Sequence, residues 1–79
     1  EKTLSITYDG KKVGTYRPDF VVEGKILIEL KAVPFMPKDY EVQLTYYLKG
    51  TDYKLGFLIN FGAKRIEIRR RVWTPHQRS

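Results

Sequence analysis

Asp19, Glu29 and Lys31 are the residues of this chain whose types and spacing point to chemistry. Glu29 and Lys31 stand two apart in Lys25-Ile-Leu-Ile-Glu-Leu-Lys-Ala-Val33, an otherwise apolar run. A strand period of two puts Leu27, Glu29 and Lys31 on one face and Ile26, Ile28 and Leu30 on the other. An acid and a base on such a strand are costly to bury unless each is paired. The preceding strand supplies the next acid, Asp19. A three-residue turn, Glu23-Gly24-Lys25, pairs Val22 with Ile26 and sets Asp19 directly opposite Glu29. A two-residue turn would mix the two faces, which the apolar pattern disfavours.

Two carboxylates at that range repel and share a proton unless a divalent cation neutralises them. Hard oxygen ligands suit Mg²⁺ or Mn²⁺, which keeps water in its shell and can deliver it as hydroxide to a phosphodiester. Lys31 would hold that water or offset charge developing on the phosphate. The plainer alternative has Asp19 capping a turn while Glu29 and Lys31 form a solvated ion pair. Spacing alone leaves the two open.

The following segment favours a site. In residues 38–49, Tyr40, Leu44, Tyr47 and Leu48 recur at helical spacing, and Gln43 lies one turn before Tyr47. Packed on a sheet, Gln43 would point to the polar end of the Glu29/Lys31 strand, where a carboxylate or a metal-bound water is the partner it needs. As an alternative Gln43 is an ordinary flanking residue, and Tyr47 by itself reads as core.

The elements that must position these groups follow from turn signals. Leu4, Ile6 and Tyr8 alternate with polar residues, and Asp9-Gly10 is a hairpin turn. A second strand starts near Lys12, is interrupted at Pro18 by a bulge or an edge position, and resumes at Phe20. Residues 26–32 return as a third strand, and Pro34 and Pro37 end the sheet there. Gly50 is placed to end the helix. Residues 55–61 are nearly all apolar, as in a strand buried on both faces, and residues 65–72 alternate again. The order is β-β-β-α-β-β in a mixed α/β (α+β) sheet, with a helix long enough for a right-handed parallel crossover. One helix leaves one sheet face poorly covered.

Composition sets the outer bounds. The chain has 79 residues, 15 Lys and Arg against 9 Asp and Glu, one His and no Cys. That is one domain, residues 1–79, without disulfides or a Cys/His zinc cluster, so a compact core or a partner subunit must stabilise it. A roomy cavity is not expected at this size. No apolar run spans a membrane and no signal-peptide pattern opens the chain, so a cytoplasmic domain is expected. The net charge of +6 points to a polyanionic partner.

The ordered residues resemble a known family. Pro18-Asp19, nine intervening residues, then Glu29-Leu-Lys31 resembles the PD-(D/E)XK nuclease signature, and Gln43-Leu-Thr-Tyr-Tyr47 resembles the QxxxY element of one branch. Tyr16-Arg-Pro-Asp-Phe-Val-Val-Glu-Gly24, Ile28-Glu-Leu-Lys-Ala-Val33 and Gly56-Phe-Leu-Ile-Asn-Phe-Gly62 are similar to the GxxExxY protein family, from about Ile6 to Val72. The resemblance implies a restriction-endonuclease-like α-β-β-β-α-β core and a metal-dependent DNA nuclease. It implies Asp19 and Glu29 as ligands of Mg²⁺ or Mn²⁺, Lys31 as the catalytic lysine and Gln43 as an auxiliary site residue. The helix with the Gly-x-x-Glu-x-x-Tyr stretch would precede Glu1, so the expectation is an N-terminally truncated domain or a homodimer in which partner surface substitutes for that helix. The rival is a catalytically inactive nucleic-acid-binding or dimeric structural domain that retains the fold.

Arg69, Arg70 and Arg71, with Trp73 nearby, are candidate DNA phosphate contacts; charged protection of an outer strand explains them equally well. Residues 73–79 read as a flexible tail, and His76 within it is assigned no role. Tyr8, Tyr16 and Phe20 read as sheet packing.

Overall fold

A computed structural model of the chain describes residues 2–74; residues 75–79, His76 among them, lie outside the described residues. Asp9 and Gly10 take φ of 52° and 74°, the left-handed pair whose twist suits a two-residue hairpin. They join β1 (Leu4–Tyr8) to β2 (Lys11–Tyr16) in an antiparallel ribbon with one register shift at Ile6/Thr7. The interruption at Pro18 is complete: proline has no N–H to continue the ladder, and the residues after it pair with Ile26–Lys31, a strand of another sheet, and not with the hairpin. The chain resumes as β3 (Phe20–Val22) in a different sheet, so the expected second strand is two strands.

Glu23 and Gly24, at φ of 53° and 64°, then reverse the chain, and the Lys25 N–H donates to the Val22 carbonyl at 2.9 Å. β4 (Ile26–Lys31) returns with Val22 opposite Ile26, the register of a three-residue turn. α1 (Lys38–Thr51) crosses over to β5 (Leu55–Asn60), which lies parallel to β4. β6 (Glu67–Val72) closes an antiparallel pair with β5, giving the sheet order β3-β4-β5-β6. The mixed sheet and single crossover helix are those expected from the apolar pattern.

α1 starts one residue after Pro37, with Asp39 and Glu41 in its first turn, where negative charge meets the positive end of the helix. Gly50 does not end it. The helix runs to Thr51, and Asp52 takes the left-handed cap at φ 63°. Gly50 is buried under the hairpin: a Cβ there would stand 2.4 Å from the Ile6 Cγ2 and 3.1 Å from the Tyr8 ring. The glycine is needed for close approach of β1.

Two clusters form the core between the helix and the sheet. Leu48 packs with Ile6, Tyr16 and Leu27, while Leu44 packs with Met36 and Leu58. Trp73, where the tail was expected to start, packs against the first cluster, and its N–H donates to the Lys54 carbonyl at 2.9 Å. No helix among the described residues is long and apolar enough to cross a membrane.

Alternation along the four-stranded sheet turns Val21, Leu27, Glu29, Lys31, Leu58 and Asn60 toward α1. The other face carries cross-strand rows of Phe20, Ile28, Phe57 and Arg70, and of Leu30, Ile59 and Ile68. Phe20 and Ile68 are 56% and 57% exposed there. No described element covers this face, as the count of one helix anticipated.

Candidate active site

β4 outruns its neighbour β3. The β3–β4 ladder ends at Phe20 opposite Ile28, so Glu29, Leu30 and Lys31 project past it. Asp19, the residue just before β3, takes over with its side chain: the Leu30 N–H donates to its Oδ2 at 2.7 Å. The carboxylate thereby replaces a ladder partner and is held beside Glu29. The register that sets Asp19 across from Glu29 is continuous with the Val22–Ile26 and Phe20–Ile28 pairs.

Glu29 is half-buried on the helix side and accepts a hydrogen bond at Oε2 from the Tyr16 hydroxyl. Burial pushes its carboxyl above the usual carboxylate range, and the nearby Asp19 charge adds to that push. The Tyr16 hydrogen bond, the Lys31 ammonium and the Asp19 backbone amide oppose it without cancelling it. A cation bound beside it would favour the charged carboxylate and oppose that push. The Tyr16 phenol is itself raised far above its ordinary value, first by burial and next by its bond to Glu29, so it remains a donor at any working pH.

Tyr16, expected to serve sheet packing, packs in the core and also donates to the candidate ligand Glu29. Its ring stacks on Tyr47 of α1, centroids 3.8 Å apart and planes 13° from parallel. The sequence signal was weak: a tyrosine three residues before Asp19, with a partner set by tertiary packing. Tyr47 is therefore the helix's contact to the site, one residue removed from the carboxylate. Lys31 extends toward the start of the helix, with Nζ 4.6 Å from the centroid of the Tyr40 ring.

Gln43 is not drawn into the cluster. It is exposed and has no hydrogen-bond partner among the described residues. The three arginines are divided by strand alternation. Arg69 Nε lies 3.1 Å from Glu41 Oε2 and Arg71 pairs with Glu41 Oε1, so both are drawn to the helix. Arg70 lies on the open face, opposite Phe57.

The donor set suits a hard divalent cation. Asp19 and Glu29 each carry an orienting hydrogen bond, from Leu30 N–H and from Tyr16, of the kind that fixes ligand carboxylates. No group of three or more His, Cys, Asp or Glu side chains able to hold a metal occurs among the described residues. Two carboxylates with the rest of the shell left to water and substrate oxygens is the pattern Mg²⁺ accepts.

A family model described as the PD-(D/E)XK nuclease superfamily matches residues 1–72. No curated protein and no solved structure matches the chain.

Proposed function

Since the chain belongs to the PD-(D/E)XK nuclease superfamily, we propose that it is a metal-dependent nuclease domain hydrolysing DNA phosphodiesters. Within the superfamily we assign it to the GxxExxY branch, on the Tyr16–Gly24, Ile28–Val33 and Gly56–Gly62 stretches. Its mixed sheet with a parallel β4–α1–β5 crossover is consistent with a restriction-endonuclease-like fold.

The observation that carries the reading is the end of β4, where Asp19 is held by Leu30 N–H, Glu29 by Tyr16, and Lys31 beside Tyr40. Asp19 and Glu29 would hold Mg²⁺ or Mn²⁺, which when bound neutralises phosphate charge and lowers the pKa of a coordinated water. Tyr16 keeps Glu29 in one orientation with an O–H donor that does not titrate. Lys31 orients the attacking water and meets the charge that develops on the phosphate. Gln43, exposed one turn before Tyr47, has its amide available to substrate.

The test is divalent-metal-dependent cleavage of plasmid DNA by the wild-type chain and by Lys31→Ala. Loss of about 100-fold or more in rate is expected for the variant, the scale of removing one transition-state donor. Cleavage that survives unchanged sinks this mechanism.

The second reading is a DNA-binding domain without activity. Its support is that Gln43 stands outside the Asp19–Glu29 cluster, while Arg70 on the open sheet face and a net charge of +6 remain to meet phosphates. Salt-sensitive DNA binding without cleavage in any divalent metal would favour it.

Self-association belongs to the same proposal. Pairing of two copies through the open sheet face would remove Phe20, Phe57 and Ile68 of both chains from water. Four strands about 4.8 Å apart and about 20 Å long give roughly 400 Å² of footprint per chain. A pair then buries roughly 800 Å², under the ~1,200 Å² of a standard interface, so the dimer should be concentration-dependent.

A further inference from the structure

Asn60 is the one fully buried polar side chain among the described residues, at 0% exposure, and it sits beside Lys31 in the parallel register. A leucine there would bury more apolar surface, as Leu58 does two residues earlier on the same face. The amide has to be justified by its bonds. Its Oδ1 accepts from Val33 N–H and from Gly62 N–H, each at 3.0 Å. Its Nδ2 donates to the Val33 carbonyl at 3.0 Å and to Glu67 Oε1 at 2.8 Å. No donor or acceptor is wasted.

The pair of bonds to Val33 has a specific form. A carboxamide presents the same donor and acceptor as a peptide group, and Asn60 gives both to the N–H and C=O of one residue. The backbone ladder between β4 and β5 ends with the Phe61 N–H on the Lys31 carbonyl at 2.9 Å. The Asn60 side chain prolongs it by one step, to the residue whose successor, Pro34, cannot continue a strand. Gly62 permits that approach: a Cβ would stand 2.4 Å from Val33 N and 2.6 Å from Val33 O.

The end of β4 needs this clamp. On the β3 side its ladder stops at Ile28, and only the Asp19 carboxylate reaches further. Lys31 is the last residue of the strand, where ladders fray. Its long side chain loses aim with every degree of backbone freedom. We propose that Asn60 is a positioning residue for Lys31: its side-chain amide extends the β4–β5 ladder past the lysine and so holds Nζ at the Tyr40 ring. The catalytic part of the claim rests on the reading of Lys31 as the working lysine; the placement does not.

The test has two arms. By NMR, the wild-type Val33 amide exchanges slowly, like amides inside the β4–β5 ladder, and the Lys31 ε-protons are shifted upfield by the Tyr40 ring. In Asn60→Asp, which keeps the shape but loses the Nδ2 donors, that upfield shift disappears. In plasmid cleavage with Mg²⁺, kcat of the same variant per folded molecule falls about 10- to 100-fold while KM and Mn²⁺ affinity stay within about twofold. A purely structural role would reduce the folded fraction and leave kcat per folded molecule and the Lys31 shift intact, which overturns the proposal. So does a fast-exchanging Val33 amide in the wild type, a measurement that does not need the variant to fold. If the wild type cleaves nothing while the Lys31 shift still depends on Asn60, the nuclease reading falls and the placement stands.

Discussion

The Tyr16 hydroxyl donates to Oε2 of Glu29 across thirteen residues of sequence, and the Tyr16 ring stacks on Tyr47 of the crossover helix. One side chain thus ties the hairpin, the central strand and the helix to a candidate metal ligand. Tyr16→Phe removes the donor and keeps the stack. Metal-dependent cleavage is expected to fall about tenfold or more, as when an orienting partner of a ligand is lost. Losing the bond to a half-buried carboxylate should also cost about 1–3 kcal/mol, so a melting curve accompanies the steady-state kinetics and rates are compared per folded molecule.

Glu29 sets a pH dependence of stability. Its folded-state pKa lies above the ordinary value of 4.5, chiefly through burial. The folded state therefore binds the proton more tightly than the unfolded state does. The stability this contributes is full below the ordinary carboxylate range and is lost as pH rises through the raised value. Without metal, Glu29→Gln should be more stable than wild type at neutral pH, and the gap should close on acidification. Urea unfolding at several pH values reads this. Mg²⁺ should stabilise the wild type more than the variant, by about 2.7 kcal/mol for a ligand at 100 times its Kd.

Glu41 answers two arginines, Arg69 and Arg71, and is itself only 13% exposed at its side chain. Glu41→Gln leaves both cations facing an uncharged partner on the helix. The cost is expected at about 1–2 kcal/mol, between the values for exposed and buried pairs. DNA affinity at low salt should rise, because two arginines are released, and a salt titration of binding follows that change.

Gly50→Ala sets helix propensity against packing. Alanine favours a helix interior by about 1 kcal/mol over glycine. The new Cβ would meet the Ile6 Cγ2 at 2.4 Å, and Ile6 is β-branched and stiff. Overpacking of this kind costs about 1–3 kcal/mol, so the net effect is destabilising. Trimming the contact in an Ile6→Ala/Gly50→Ala pair should show non-additive recovery in denaturant unfolding.

Ile68→Lys places a charge on the open sheet face, where Ile68 is 57% exposed. The variant should fold as the wild type does and shift light-scattering mass toward the monomer. A wild type that stays monomeric at high micromolar concentration would sink the proposed self-association.

The strands, the crossover helix and the Val22–Ile26 register were legible in the sequence, because alternation of apolar residues and turn chemistry are local. Counting along the same hairpin also brings Asp19 to the end of β4, where its carboxylate accepts from Leu30 N–H. The bare sheet face was legible too, since one helix covers only one side. The complete break at Pro18 was not: whether a proline bulges a strand or splits it depends on where the second half finds a partner. Gly50 had the chemistry of a helix stop, yet it serves the approach of a hairpin some forty residues earlier in the chain. The arginine run was visible as charge, but its division between Glu41 and the open face was settled by packing of the helix on β6. Tyr16 on Glu29 and Asn60 on Val33 are long-range bonds, made between groups that no periodicity links. The sequence by itself determined that Glu29 and Lys31 share one face of a strand and that Asp19 precedes the strand beside it. The tertiary structure decided what holds each of them in place, because orienting a buried polar group requires partners from other elements.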